Sequence, residues 1–175
     1  RTDDGTAWVP AKELKLNDLM AVVVETPETF GERMPNVKVV TEELMHQLGL
    51  FVGDGDIDRN AKTGNLRCVR IGRPETDQRR EDFIKEAEKV WKPKRKFGDG
   101  RGITIGRAWN CFIIQSVSAA ELVIELGFAG TSKTKRIPQW VFGLKTSLKK
   151  ALIQGILDTD GCDRGRGFYD LSFNN

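Results

Sequence analysis

The sequence predicts an α+β fold in which an antiparallel sheet is covered on one face by helices and open on the other. Three observations carry this. Apolar residues recur at helical spacing in residues 41–54, 77–91, 118–126 and 149–160. Two strand–turn–strand stretches, 56–71 and 93–116, separate the first three helices. The resulting order of helix, hairpin, helix, hairpin, helix segregates helices to one side of a sheet. At 175 residues, the chain is long enough for one domain with part of a second.

Each element has a local reason. Residues 1–24 read as the strand-and-turn end of a preceding module, with a buried strand at 19–24, and residues 25–40 as a linker carrying Pro27, Gly31 and Pro35. Thr41 is placed to cap the first helix, with Glu42 and Glu43 favourably in its first turn. A hairpin follows, with arms at 56–59 and 66–71 about a turn at 60–65. Alternation there sets Leu66, Cys68 and Arg70 opposite Arg67, Val69 and Ile71. Residues 77–91 form an amphipathic helix with Phe83, Ala87 and Val90 inward and Asp77 as its cap. A second hairpin surrounds the glycine-rich stretch 98–106. A helix at 118–126 ends at Gly127, and another spans 149–160. One further strand is expected at 167–173.

Composition narrows the class. Hydrophobic residues make up 39% and charged residues 30% of the chain, as in globular proteins. No apolar run approaches the ~20 residues of a membrane span. Cys68, Cys111 and Cys162 are odd in number and widely spaced; they suit neither a disulfide framework nor a zinc pattern and point to a reducing cytoplasm. The net charge of +3 conceals an asymmetry: residues 1–58 hold 12 acidic and 5 basic side chains, and residues 59–175 hold 13 and 23. Such a basic, strand-forming region has the electrostatic footprint of a nucleic-acid binder. Arg59, Lys62, Arg67, Arg70, Arg73, Lys94, Lys96, Arg101 and Arg107 are the candidates for its open face.

Two segments end almost alike: Leu48-Gly49-Leu50-Phe51-Val52-Gly53-Asp54-Gly55 and Ile153-Gln154-Gly155-Ile156-Leu157-Asp158-Thr159-Asp160-Gly161. In each, small residues four apart allow close helix–helix approach, and an aspartate meets the negative end of the helix dipole, unfavourable by roughly 0.3–1 kcal/mol. A divalent cation held between two such carboxylates would offset the repulsion. The pair resembles the LAGLIDADG (dodecapeptide) motifs of intein homing endonucleases. Lys135-Arg136-Ile137-Pro138 is similar to that family's Lys-x-Ile-Pro block, and the stretch from Trp8 to Val22 is similar to part of the intein splicing domain, with Asn17 in place of its glycine. The splicing domain's Thr-x-x-His block, its nucleophile at position 1 and its terminal His-Asn have no counterpart here.

The resemblance implies the LAGLIDADG homing-endonuclease fold, an αββαββα unit with a saddle-shaped antiparallel sheet at 41–145 and a truncated second unit at 146–175. It implies a site-specific, metal-dependent DNA endonuclease that cuts both strands. Asp54 and Asp160 would be catalytic and hold Mg²⁺ or Mn²⁺, carbonyls of Gly53 and Thr159 would complete the shell, and Lys135 would join the active site. The implied partners are double-stranded DNA and, in cis, an intein splicing domain and its host protein, the complete protein being a monomer. Truncation would leave the outer side of the second motif helix, with Leu152 and Ile156, short of apolar cover. Two other readings stay open: a non-cleaving DNA-binding remnant or maturase-like module of the same fold, and a helical interaction protein whose Asp-Gly turns are structural. The single histidine, His46, is expected to be a partly buried or surface residue, and Asp158 to lie on another helix face from Asp160.

Overall fold

The computed structural model describes residues 40–91, 104–163 and 169–171, together with residue 13. Its element order is α1 (Glu42–Asp54), β1 (Gly55–Arg59), β2 (Leu66–Gly72), α2 (Arg80–Trp91), β3 (Thr104–Ala108), β4 (Cys111–Gln115), α3 (Val117–Glu125), a 3₁₀ turn (Gln139–Gly143), α4 (Thr146–Asp160), β5 (Gly161–Asp163) and β6 (Tyr169–Leu171). The α+β class holds. The expected N-terminal module, most of the linker, and Lys94, Lys96 and Arg101 lie outside the described residues.

Two hairpins build a four-stranded antiparallel sheet in the order β1-β2-β4-β3. At its centre Val69 faces Ile114 and Ile71 faces Phe112, and all four are buried. Alternation sends Cys68 and Arg70 to the opposite face, beside Asp58 and Asp56 of β1. Met45, Leu48, Phe51, Ile84, Ala87, Ala120 and Val123 complete the core from the helices.

Helix ends follow their side chains. The Thr41 hydroxyl accepts from the Leu44 amide at 3.2 Å. Ser116 caps α3, accepting from Ala119 N at 3.1 Å, so that helix starts one residue before the expected 118. It closes as a Schellman motif on Gly127 (φ +84°), where Phe128 N donates to Val123 O and Gly127 N to Ile124 O. Asp77 does not cap α2 directly. Its carboxylate accepts from Arg79 N and Arg73 Nη1, and the helix begins at Arg80.

The Asp-Gly signals do not produce loops. Gly55 (φ −90°) and Gly161 (φ −78°) are extended, and each helix passes straight into a strand. What needs glycine is space: a Cβ on Gly55 would lie 2.6 Å from Phe51 O, and one on Gly161 2.3 Å from Leu157 O. α4 thereby enters β5, which pairs with β6, giving one more strand after the second motif helix than the sequence predicts. The expectation of an uncovered Leu152 and Ile156 is corrected. Both are buried, and the outward residue is Ile153, 49% exposed. α4 begins at Thr146, and its apolar stripe meets α1 rather than a second sheet.

Candidate carboxylate pair at two helix ends

α1 and α4 pack backbone against backbone. A Cβ on Gly49 would lie 2.2 Å from Leu152 O, and one on Gly155 would lie 2.2 Å from His46 O and 2.8 Å from Leu50 N. Only hydrogen fits at either position. One turn further on, a Cβ on Gly53 would meet Thr159 Oγ1 and come within 3.3 Å of Asp160 Cγ. The small-residue spacing therefore does structural work, bringing Gly53, Thr159 and Asp160 together with Asp54 adjoining. Asp54 also packs on the sheet, since a Cβ on Gly72 would lie 3.1 Å from Asp54 Cβ.

Electrostatics records the convergence. Burial, then the charge of Asp54, push the Asp160 carboxyl above its ordinary value, while Lys135 and Arg73 pull it down. Neither helix has a basic residue in its last turn. The missing countercharge for α1 comes from far along the chain. Lys135 Nζ donates to Phe51 O at 2.8 Å, to Val52 O at 3.3 Å and to Gly55 O, and lies over the Phe51 ring, 4.9 Å from its centroid. Burial pushes the Lys135 pKa down, against Asp54, Asp56 and Asp160, which favour its charged form. All three ammonium hydrogens have carbonyl partners, so in this geometry Lys135 caps the helix that carries Asp54.

The donor chemistry suits a hard cation. Two carboxylates at helix C-termini offer oxygen ligands, and Mg²⁺ keeps several waters, so two protein ligands suffice. Among the described residues there is no group of three or more His, Cys, Asp or Glu side chains placed to hold an ion. Thr159 Oγ1 is turned back on its own helix, donating to Gly155 O and Ile156 O.

Among the described residues, the arginines expected on the open basic face are largely paired with acids of this chain. Arg70 is bound by Asp56, with Nε donating to Oδ1 at 3.0 Å, and Asp58 lies 3.6 Å from it. Arg67 reaches Asp58 at 3.3 Å. Arg73 is only 8% exposed, pairs with Asp77 at 2.9 Å and stacks on Phe83. The register sets Arg107 opposite Phe112, on the helix-covered side, where it pairs with Glu81 at 3.0 Å. Arg59 donates to Gly64 O of its own turn, and Lys62 is exposed beside it. The count of basic residues from Arg59 onward stops just short of Asp56 and Asp58, which pairing brings across from Cys68 and Arg70.

Sequence reasoning missed a second cluster. His46 Nδ1 lies 2.6 Å from Glu86 Oε2, and its Nε2 lies 3.0 Å from Asp158 Oδ2. Arg79 Nη1 and Gln154 Nε2 each donate to Asp158 Oδ1 at 2.8 Å. Gln47 Nε2 donates to Glu86 Oε2 at 2.6 Å, and Trp91 Nε1 to Gln47 Oε1 at 3.4 Å. Asp158 thus faces away from Asp160, into a network spanning α1, α2 and α4. The available signal was the polar pair His46-Gln47 inside an otherwise apolar helix face, which requires buried partners.

No protein-family model matches the chain. It is similar to an iron–sulfur cluster assembly SufBD family protein of Mycobacterium leprae, 28% identical over 184 aligned positions that take in 95% of this chain. The chain spans about a fifth of that relative's length. That relative carries a cluster-assembly name, and on this finding the assignments drawn from the motif resemblance are corrected. Homing endonuclease, metal-dependent DNA endonuclease, intein context and double-stranded DNA as partner are not retained, nor is the non-cleaving DNA-binding alternative. The physical reason is that small residues four apart encode close helix packing whatever chemistry follows, and architecture does not carry function with it.

Proposed function

We propose that this chain is a cation-binding module of a longer polypeptide, with a LAGLIDADG-type arrangement of helices and sheet, in which Asp54 and Asp160 hold Mg²⁺ or Mn²⁺. The observation that supports it is the convergence of two like-charged carboxylates at two helix C-termini, with the Asp160 carboxyl pushed up by burial and by Asp54. Lys135 and Arg73 offset this repulsion only in part, since the Asp160 carboxyl stays above its ordinary value, and the arrangement favours a divalent cation, with carbonyls of Gly53 and Thr159 as candidate further ligands. The bound ion would supply positive charge that joins the ends of α1 and α4. Lys135 holds the α1 end by its carbonyls.

The relative's name adds a second reading, in which the longer protein takes part in iron–sulfur cluster assembly with protein partners, in a reducing cytoplasmic setting. The named role is that of the whole relative, of which this chain matches about a fifth. The module's own contribution is therefore proposed at the carboxylate pair. Among the described residues no helix is long and apolar enough to cross a membrane.

Thermal melts with and without Mg²⁺ or Mn²⁺ test the reading. At a hundredfold excess over Kd, the cation should add about 2.7 kcal/mol of stability. Asp54→Asn and Asp160→Asn should each abolish most of that gain while folding normally. No cation-dependent shift in the unmodified chain would overturn the assignment.

A further inference from the structure

We propose that His46 is a proton-linked latch, tying α4 to α1 and α2 through Asp158 and Glu86 while its ring carries both protons and loosening α4 when one is lost. The geometry calls for the doubly protonated ring. Both ring nitrogens face carboxylate oxygens, at 2.6 and 3.0 Å. A neutral imidazole has one N–H and one lone pair, so one of these contacts would set lone pair against lone pair. Only the imidazolium donates to both.

The surroundings hold the ring in place. His46 lies against Phe83, with centroids 5.6 Å apart. Glu86 approaches from α2 and Asp158 from α4, and these two charges act on the ring. Arg79, from the segment before α2, donates to the far oxygen of Asp158. Arg73, paired with Asp77, and Arg79 itself lie over Phe83. On α1, Glu42 and Glu43 are exposed in the first turn, and Gln47 is bonded to Glu86. Loss of a proton should break the longer contact first. Asp158 keeps Arg79 and Gln154, whereas Nδ1–H retains the shorter bond to Glu86. The hydrogen bond from α1 to Asp158 in the last turn of α4 is then gone, and only the close packing about Gly53 still joins the two ends.

Direction follows from the balance at the ring. Burial lowers the His46 pKa, but hydrogen bonds and charges of Glu86 and Asp158 outweigh it, leaving it above 6.5. A group whose pKa is raised by folding stabilises fully below its unfolded value, and that stability is lost as pH rises through the folded value. The latch therefore holds in mild acid and opens on the alkaline side of 6.5.

His46 is the chain's only histidine, so ring-carbon NMR of the full chain reads it without ambiguity. The expected midpoint lies above 6.5 and falls in Asp158→Asn. The melting temperature should decline from about pH 6 to about pH 9, and this decline should vanish in His46→Gln. Amides of residues 156–160 should exchange several-fold faster at the higher pH, after correction for intrinsic rates, in the unmodified chain alone. A midpoint at or below 6.5, or an equal pH decline in His46→Gln, would overturn the latch. Should His46→Gln fail to fold, Asp158→Asn keeps the ring, and an unchanged midpoint there would have the same force.

Discussion

Replacing Gly155 with alanine sets two known effects against each other, and the sign of the result tests the α1–α4 contact. In an exposed helix interior, glycine to alanine stabilises by ~1 kcal/mol, because glycine is the poorer helix former. At Gly155 the added carbon would stand 2.2 Å from His46 O, 2.8 Å from Leu50 N and 2.9 Å from Gly49 Cα, whereas ordinary contact lies at 3.4–4 Å. The nearest shortfall exceeds 1 Å, and all three neighbours are backbone, so no rotamer change relieves it. The helices must move apart, which loosens Leu48, Leu152 and Ile156 between them and parts the two aspartates. Overpacking of this kind typically costs 1–3 kcal/mol or more. With all three neighbours backbone, the upper end of about 3 kcal/mol applies; net of the ~1 kcal/mol propensity gain, Gly155→Ala should destabilise by about 2 kcal/mol, a large share of a typical ~5–15 kcal/mol. In a domain of this size that lowers the melting temperature by roughly 4–8 °C. Urea unfolding at constant m gives the free energy, with Lys150→Ala on the exposed side of α4 as a control expected within about 0.5 kcal/mol. A Gly155→Ala protein as stable as the parent, or more so, would show that the two backbones do not meet as described.

Two further outcomes follow from single side chains. Lys135→Met keeps the contact with Phe51 but leaves three carbonyls at the end of α1 without their donor; a loss of about 1–3 kcal/mol is expected in thermal melts, and an unchanged melt would mean water serves those carbonyls equally well. Arg80 is buried in α2, and its Nη2 donates to Ala108 O and, at 2.9 Å, to Cys111 O, so it closes the β3–β4 hairpin. Arg80→Met should destabilise by about 2–3 kcal/mol and speed amide exchange in that hairpin, whereas the exposed Arg67→Met should stay within ~1 kcal/mol; equal effects at the two sites would refute the distinction.

Local chemistry was legible in the chain. The Thr41 cap, the Gly127 stop, the alternation of Val69 and Ile71 and the apolar stripes of the helices each depend on neighbours a few residues away. Periodicity and capping record such relations directly, and they are enough for the α+β class and the first hairpin; the second turns at residues 109–110, beyond the glycine-rich stretch it was expected to surround, with Gly106 inside β3 opposite Ile113. The matched Gly49/Gly53 and Gly155/Thr159 spacings likewise announce close helix packing, because a missing side chain has the same steric meaning wherever the partner comes from. Everything that depends on which distant groups meet was decided by the tertiary structure. Register set Asp56 and Asp58 beside Arg70 and Arg67 and put Arg107 on the helix side, so that these arginines, among the described residues, form ion pairs. Lys135 reached the end of α1 across 80 residues and took up its carbonyls, and Asp158, on the other helix face from Asp160 as its spacing predicts, found His46 as its partner. A charge or a lone pair acts through space, and its strength depends on distance and burial, neither of which is written in the order of residues along the chain.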